Sequence, residues 1–438
     1  MSVLSGEGPQ EGSFYDHPYF GQLFLAGFLG ATGFQMTLDQ SADTDAIRNL
    51  FLIPRILMGL LAVMDTFLVY KIAENRFGKR AGFIAAILFA VMPISWLTRR
   101  IVLDSILLPF LLASILFAIR ARQARAGHEK YYVLLSGAFL GIAIFTKIPA
   151  FVMIPLIAYL IYAARPNRAR DLGLWFIPVV LIPLLWPAYG AYVGQFDYWL
   201  KDVIWQTQRQ NSGFADSLVF LVTSDPVITV LAFAGVATAI IRRDLFVILW
   251  FVPFMTFLSI IGYVQYFYWI PLLPVFCIAA ASLIDKVSRS IVWSPHLLLA
   301  GISVVGIVST TMFIVIDVTS AQFAAAAFVA TLADDQTTIA ASPSYSWLLI
   351  YVYGTQNTFT DYRELLFQQV ETRRLVLVSD THLESNLDAG PQIREAYDNS
   401  QVIKTFEGNV SDYDTSTYPY TNLRWNFEGS HIEIRVVE

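Results

Sequence analysis

The chain has 438 residues, of which 56% are apolar and only 14% charged. Soluble globular chains carry about 45–50% apolar and about 25% charged residues, so these proportions exclude a soluble domain. The net charge of −5 comes without any basic tract, which excludes nucleic acid as a partner.

Residues 1–12 are polar, with neither a basic region nor an apolar run of the signal-peptide kind. Next comes Phe14-Tyr15-Asp16-His17-Pro18-Tyr19-Phe20-Gly21. It sets an acid, an imidazole and a helix-starting proline directly before an apolar stretch, 19–36. Gly21, Gly27, Gly30 and Gly33 interrupt that stretch. We expect it to lie along the outer membrane face as a juxtamembrane helix and to floor an active site.

Apolar blocks of spanning length follow at about 51–71, 81–97, 102–119, 131–146, 148–164, 173–193, 222–241, 245–262, 267–284 and 294–316. Every second loop is basic: Lys71, Arg76, Lys79 and Arg80, then Arg120, Arg122, Arg125 and Lys130, then Arg165, Arg168 and Arg170, then Arg242 and Arg243, then Lys286 and Arg289. Basic short loops face the cytoplasm, so the remaining loops, and everything after Asp317, face out. Counting back places the N-terminus outside as well. A polar N-terminus outside needs an export device, so we expect the true start, with one more spanning helix, to lie upstream of Met1.

From about 320 the apolar blocks cease. Short apolar runs at 337–341, 374–379, 401–407, 423–427 and 431–437 read as strands, with helical stretches at 321–333, 344–353, 362–372 and 390–398. The expected architecture is a polytopic α-helical membrane protein of about ten spans plus a juxtamembrane helix. Its parts are an outer first-loop remnant (1–50), a transmembrane bundle (51–317) and an exported α/β domain (318–438), in a plasma membrane. The triplet Asn409-Val410-Ser411 is a glycosylation acceptor pattern. The lone Cys277 forms no intrachain disulfide, and no Cys/His cluster suggests zinc.

Charges on the outer face carry the candidate chemistry. Arg99, Arg100 and Asp104 flank a short outer loop, against the usual bias. Ionisable groups at membrane depth are costly and usually functional, although Asp104 also suits a plain helix start. Lys147 stands in an outer hairpin and Arg55 at the outer start of the first span; both also suit simple snorkelling to headgroups. Together Arg55, Arg99, Arg100 and Lys147 fit a phosphate at headgroup depth. The long loop 194–216 carries Trp205-Gln206-Thr207-Gln208-Arg209, suited to sugar hydroxyls or to an interfacial anchor. Asp16 is the best candidate base and Asp104 the second, while His17 and Arg209 are candidate substrate contacts. No cofactor is demanded; a carboxylate such as Asp104 would suit magnesium or manganese.

These residues carry a family resemblance. Asp16-His17-Pro18-Tyr19-Phe20-Gly21 resembles the His-Pro-Pro-Leu-Gly motif of GT-C membrane glycosyltransferases of family 39, the protein O-mannosyltransferases and aminoarabinose transferases, with Tyr19 and Phe20 replacing Pro and Leu. Ile53-Pro54-Arg55, the Arg99/Arg100 to Asp104-Ser105 element, Phe145-Thr146-Lys147 and Tyr268-Trp269-Ile270-Pro271-Leu272-Leu273-Pro274 resemble later family elements in the right order. The basic residue usual before the last is replaced by Gln265 nearby. The resemblance covers about 1–320. It implies a first spanning helix and an acidic pair upstream of Met1. It also implies inverting transfer of a sugar from a polyprenyl-phosphate-linked donor to a lipid, protein or glycan acceptor outside the membrane. Two rival classes are a transporter or flippase, which would want midplane charge pairs and repeated halves, and a non-catalytic membrane anchor for the exported domain.

Overall fold

In the computed structural model the described residues are 2–6, 8–9, 15–34, 37–124, 128–163, 168–209, 213–290, 295–315, 319–368, 370, 372–408 and 431–437. They form two compact units, one of residues 2–31 with 54–311, the other of 32–53 with 312–438. The sequon at 409–411 and the strand expected at 423–427 lie outside the described residues.

The first unit is helical. After α1 (Phe20–Ala31) come α2 (Thr44–Phe77), α3 (Lys79–Val91), α4 (Leu103–Gln123), α5 (Glu129–Thr146), α6 (Ile154–Ala163), α7 (Arg168–Leu181), α8 (Leu185–Tyr192), α9 (Phe196–Gln208), α10 (Phe214–Ser224), α11 (Pro226–Ile241), α12 (Leu245–Ile260), α13 (Leu273–Ser290) and α14 (Pro295–Val315). Short 3-10 segments at Pro93–Arg99, Ile148–Met153 and Tyr266–Leu272 interrupt the series.

All ten apolar blocks are helical, but they are not ten straight rods. Among the described residues, four helices are long and apolar enough to cross a membrane alone: Thr44–Phe77, Leu103–Gln123, Ala169–Tyr192 and Tyr266–Ser288. Two further pairs are bent, Lys79–Val91 with Pro93–Arg99 by 74° and Phe214–Ser224 with Pro226–Ile241 by 110°. Proline explains both breaks. Pro93 and Pro226 stand at the first position of the new segment, where no N–H is missed and the fixed φ suits a start. Side chains on α2 sort by face. Leu57, Met58, Leu61, Leu68 and Val69 are buried, while Leu52, Ile56, Leu60, Val63 and Phe67 are exposed and apolar, as expected of a helix with one face to the bundle and one to lipid.

Close backbone approach fixes the height of α5. A Cβ on Gly137 would stand 2.3 Å from the Trp175 carbonyl oxygen, and one on Gly141 2.5 Å from that of Pro178, both on α7. Only glycine allows that contact.

The second unit is a small α/β domain. Its sheet has the order β1 (Thr337–Ala340), β2 (Arg374–Ser379), β4 (His431–Val437), β3 (Gln401–Glu407). The β1–β2 pair is parallel, with Ile339 opposite Val376; β2–β4 and β4–β3 are antiparallel, with Leu377 opposite Arg435. Alternation along β2 splits its side chains between two cores. Val376 and Val378 pack with α15 (Ser320–Leu332) through Phe323, Ala326 and Val329. Leu375 and Leu377 pack on the other face with Tyr362, Leu383 and Ile393. Two short helices, α16 (Pro343–Trp347) and α17 (Thr381–Ser385), follow β1 and β2, and α18 (Pro391–Asp398) precedes β3.

The linker before the first span belongs to this second unit. The Leu38 N–H donates to the Val352 carbonyl at 2.9 Å, and the Tyr353 hydroxyl to that of Ala42 at 3.0 Å. Ile47 is fully buried, and Phe51 stacks on Phe323 with centroids 5.6 Å apart. The expected boundary near residue 50 therefore falls inside one continuous helix, α2.

Candidate functional site

The stretch Tyr15-Asp16-His17 is held against α9. The Tyr15 N–H donates to Asp202 Oδ2 at 2.7 Å, and its hydroxyl to Gln195 at 2.7 Å. Asp16 accepts a short hydrogen bond from Gln206. Gln206 in turn accepts from Arg209 at 3.2 Å. The Arg209 guanidinium lies over the Trp205 and Tyr263 rings, at 4.9 and 4.3 Å. Asp202, Gln206 and Arg209 follow helical spacing, which puts them on one face of α9 and its C-terminal cap.

Gly21 lets α1 approach the neighbouring helix ends. A Cβ there would stand 2.6 Å from Leu103 and 3.1 Å from Thr146. Those residues directly precede Asp104 and Lys147, which form a buried ion pair with Nζ to Oδ2 at 2.7 Å. The Lys147 ammonium also sits over Tyr268 at 4.0 Å and Phe267 at 4.6 Å. A buried pair of this kind is tolerable because each charge has its partner.

The two clusters feel each other. Burial raises the Asp16 pKa above its ordinary value; the Gln206 hydrogen bond and the charges of Arg209 and Lys147 oppose that rise. Burial also pushes His17 down to about 3, helped by the same two cations. His17 is therefore a neutral imidazole at physiological pH. Asp16 is a half-buried carboxylate with its affinity for a proton increased, a property required of a general base.

The structure thus gathers Asp16, His17, Arg209, Lys147 and Asp104. Arg55 is exposed on α2. Arg100 stacks over Trp96 at 4.9 Å. Arg99 donates to the Ala90 carbonyl at 2.9 Å and lines an open groove of about 360 Å³ with Gly59, Val63, Phe67, Phe89 and Thr98. Arg99 is the one charged residue among the described residues lining it.

Gln206, from the loop segment suited to sugar hydroxyls, is joined at this site by Asp202 and Tyr263, which no sequence motif marks. Asp225 is a further buried carboxylate. It caps α11 through the Ile228 N–H at 2.9 Å and takes the Ile94 N–H at 3.2 Å, bolting the two bent segments together at their bends. Among the described residues no three His, Cys, Asp or Glu side chains converge as a metal site. Among these residues Asp104 therefore has no companion ligands for the magnesium or manganese it would suit.

Comparison with known proteins now adds to this geometry. Residues 47–188 match the model of the dolichyl-phosphate-mannose-protein mannosyltransferase family. No curated protein matches the chain by sequence. Among solved structures, ArnT from Cupriavidus metallidurans bound to undecaprenyl phosphate is similar with a TM-score of 0.57 at 13% identity, over 96% of this chain and 88% of that one. The Archaeoglobus fulgidus oligosaccharyltransferase tethered with an acceptor peptide is similar with a TM-score of 0.52 at 11% identity, over 87% and 64%. The chain has the helical membrane-protein fold seen in ArnT. Its resemblance to the mannosyltransferase family model is confined to residues 47–188.

Proposed function

We propose that this protein is a glycosyltransferase that moves a sugar from a polyprenyl-phosphate-linked donor to an acceptor hydroxyl on the extracytoplasmic membrane face. One observation carries the reading: Asp16 is a half-buried carboxylate with a raised pKa, set among Gln206, Arg209 and Lys147. The fold shared with ArnT, whose structure holds undecaprenyl phosphate, and with the peptide-tethered oligosaccharyltransferase supports the donor and acceptor classes. The alternating basic loops support the outer placement of the site and of the α/β unit.

In this reading Asp16 takes the proton of the acceptor hydroxyl as that oxygen attacks the anomeric carbon. The bond from that carbon to the phosphate oxygen breaks, and its electron pair leaves with the lipid phosphate. Arg209 stabilises the charge that develops on the phosphate, and the sealed Lys147 acts on the site only through its field. Asp104 holds Lys147 in place. The neutral His17 and Gln206 supply hydrogen bonds to sugar hydroxyls. The groove beside Arg99 suits the start of an isoprenoid chain, with Arg99, Arg100 and Arg55 available to headgroup phosphate. The transferred sugar in this proposal is a hexose or a pentose.

The test uses the full chain in nanodiscs with polyprenyl-phosphate pentose and hexose donors carrying labelled sugar. Release or transfer of label by wild type, and its loss in Asp16→Asn, is the expected result. A wild-type protein that carries intact donor across a sealed vesicle without breaking the sugar–phosphate bond is a flippase. One that binds the donor and does neither is an anchor. Either outcome overturns the proposal.

A further inference from the structure

The second unit carries an uncharged face next to the start of a membrane helix. From 337 to 360 the sequence has no Asp, Glu, Lys or Arg. This stretch folds as β1, then α16, then one π-helical turn, Leu348–Val352. Its inner side is core: Tyr345, Leu348, Leu349 and Val352 are buried. Its outer side holds Trp347, 38% exposed, and Tyr351, 55% exposed.

Trp347 is tied to α2. Its ring meets Phe51 edge-to-face at 5.7 Å. The next residue, Leu52, is 54% exposed, and Ile56, one turn on, is 51% exposed. That exposed stripe continues along α2, a helix of membrane-crossing length. An exposed Trp and Tyr on an uncharged surface is the composition of the headgroup layer. Indole and phenol rings settle there because one end is apolar and the other keeps a hydrogen-bonding group in water.

We propose that Trp347 and Tyr351, together with Leu52, form a lipid-docking surface by which the α/β unit rests in the headgroup layer. The occupant is the bilayer surface: residues 337–360 hold no charged side chain with which to recognise a charged protein partner, and Leu52 lies exposed on a helix long and apolar enough to cross a membrane.

The test labels Tyr351→Cys with a small fluorophore in a Cys277→Ser background, using the full chain in phosphatidylcholine nanodiscs. Gln392→Cys on the exposed face of α18 serves as reference. The label at 351 is expected to be quenched several-fold more by lipids carrying a headgroup nitroxide than the label at 392, and several-fold less by aqueous iodide. Equal iodide quenching at both sites overturns the proposal. Protection from iodide without quenching by lipid also overturns it, because a protein partner or a second copy then covers the patch. If Tyr351→Cys does not fold, Trp347→Phe replaces it: the tryptophan fluorescence quenched by brominated lipid should fall, and an unchanged fraction sinks the idea.

Discussion

Two carboxylates in this molecule stand near cations, and their surroundings differ. Asp104 is sealed with Lys147 under aromatic rings, and both side chains are almost completely buried. Asp16 is only half enclosed, and it meets an amide first and a guanidinium beyond it. A sealed ion pair has its charges already satisfied and serves to hold geometry. A half-open carboxylate whose partner is neutral keeps its basicity for a proton that arrives with substrate. Residue type alone does not separate these two roles; burial and the identity of the first partner do.

The largest expected effect comes from removing the open carboxylate. Asp16→Asn should lower sugar transfer by about 10²–10⁴-fold with thermal unfolding of the purified protein unchanged. A drop in unfolding temperature with activity retained would reverse the assignment of roles.

The sealed pair should show itself in stability as well as in activity. Lys147→Met strands the Asp104 charge and should cost about 3–5 kcal/mol of stability. The double variant Asp104→Asn with Lys147→Met should recover much of that loss. A double-mutant cycle on unfolding in nanodiscs measures both, and additive losses would argue against a coupled pair. Transfer should fall in Asp104→Asn as well, because Lys147 loses its anchor.

Asp225 sharpens the comparison as a third carboxylate, one that takes only backbone donors. Asp225→Ala should destabilise by about 1–2 kcal/mol, the range of a lost N-cap, and should speed amide exchange at Ile94 as well as at Ile228. Exchange that changes at Ile228 alone would show that the bolt to the other bent segment contributes nothing.

The smallest effect is a displacement of the pH profile. The proposed base works deprotonated, so transfer should rise as pH climbs through the raised Asp16 pKa. Gln206 and Arg209 both hold that pKa down. Gln206→Leu or Arg209→Gln should therefore move the acid limb of kcat/KM to higher pH, and a limb that stays put removes Asp16 as the titrating group.

Much of the fold was legible because apolar length and loop charge are local signals. The apolar blocks are helical, though among the described residues only four helices, or six with the bent pairs, are of spanning length, and the strands at 337–340, 374–379, 401–407 and 431–437 fall in the runs expected of them. The bends at Pro93 and Pro226 were also visible as prolines, but their angles depend on packing far along the chain. The contact of Gln206 with Asp16 escaped because the two lie 190 residues apart; the spacing of Asp202, Gln206 and Arg209 on a helical face was the available signal. The linker 32–53 read as part of the N-terminus because nothing in its sequence announces Val352 and Phe323 as neighbours. The short helix α17 escaped too, being a single turn capped by Asp380.

Gly137 and Gly141 carry a consequence for how this protein can vary. Their Cα atoms face the carbonyls of Trp175 and Pro178 with no room for a methyl group, and the helix they sit on ends at Lys147. A saturation-mutagenesis map scored by transfer should therefore show two positions on α5, remote from any substrate, as unforgiving as Asp16 itself. To such a map they would look like chemistry, although their contribution is the spacing between two backbones.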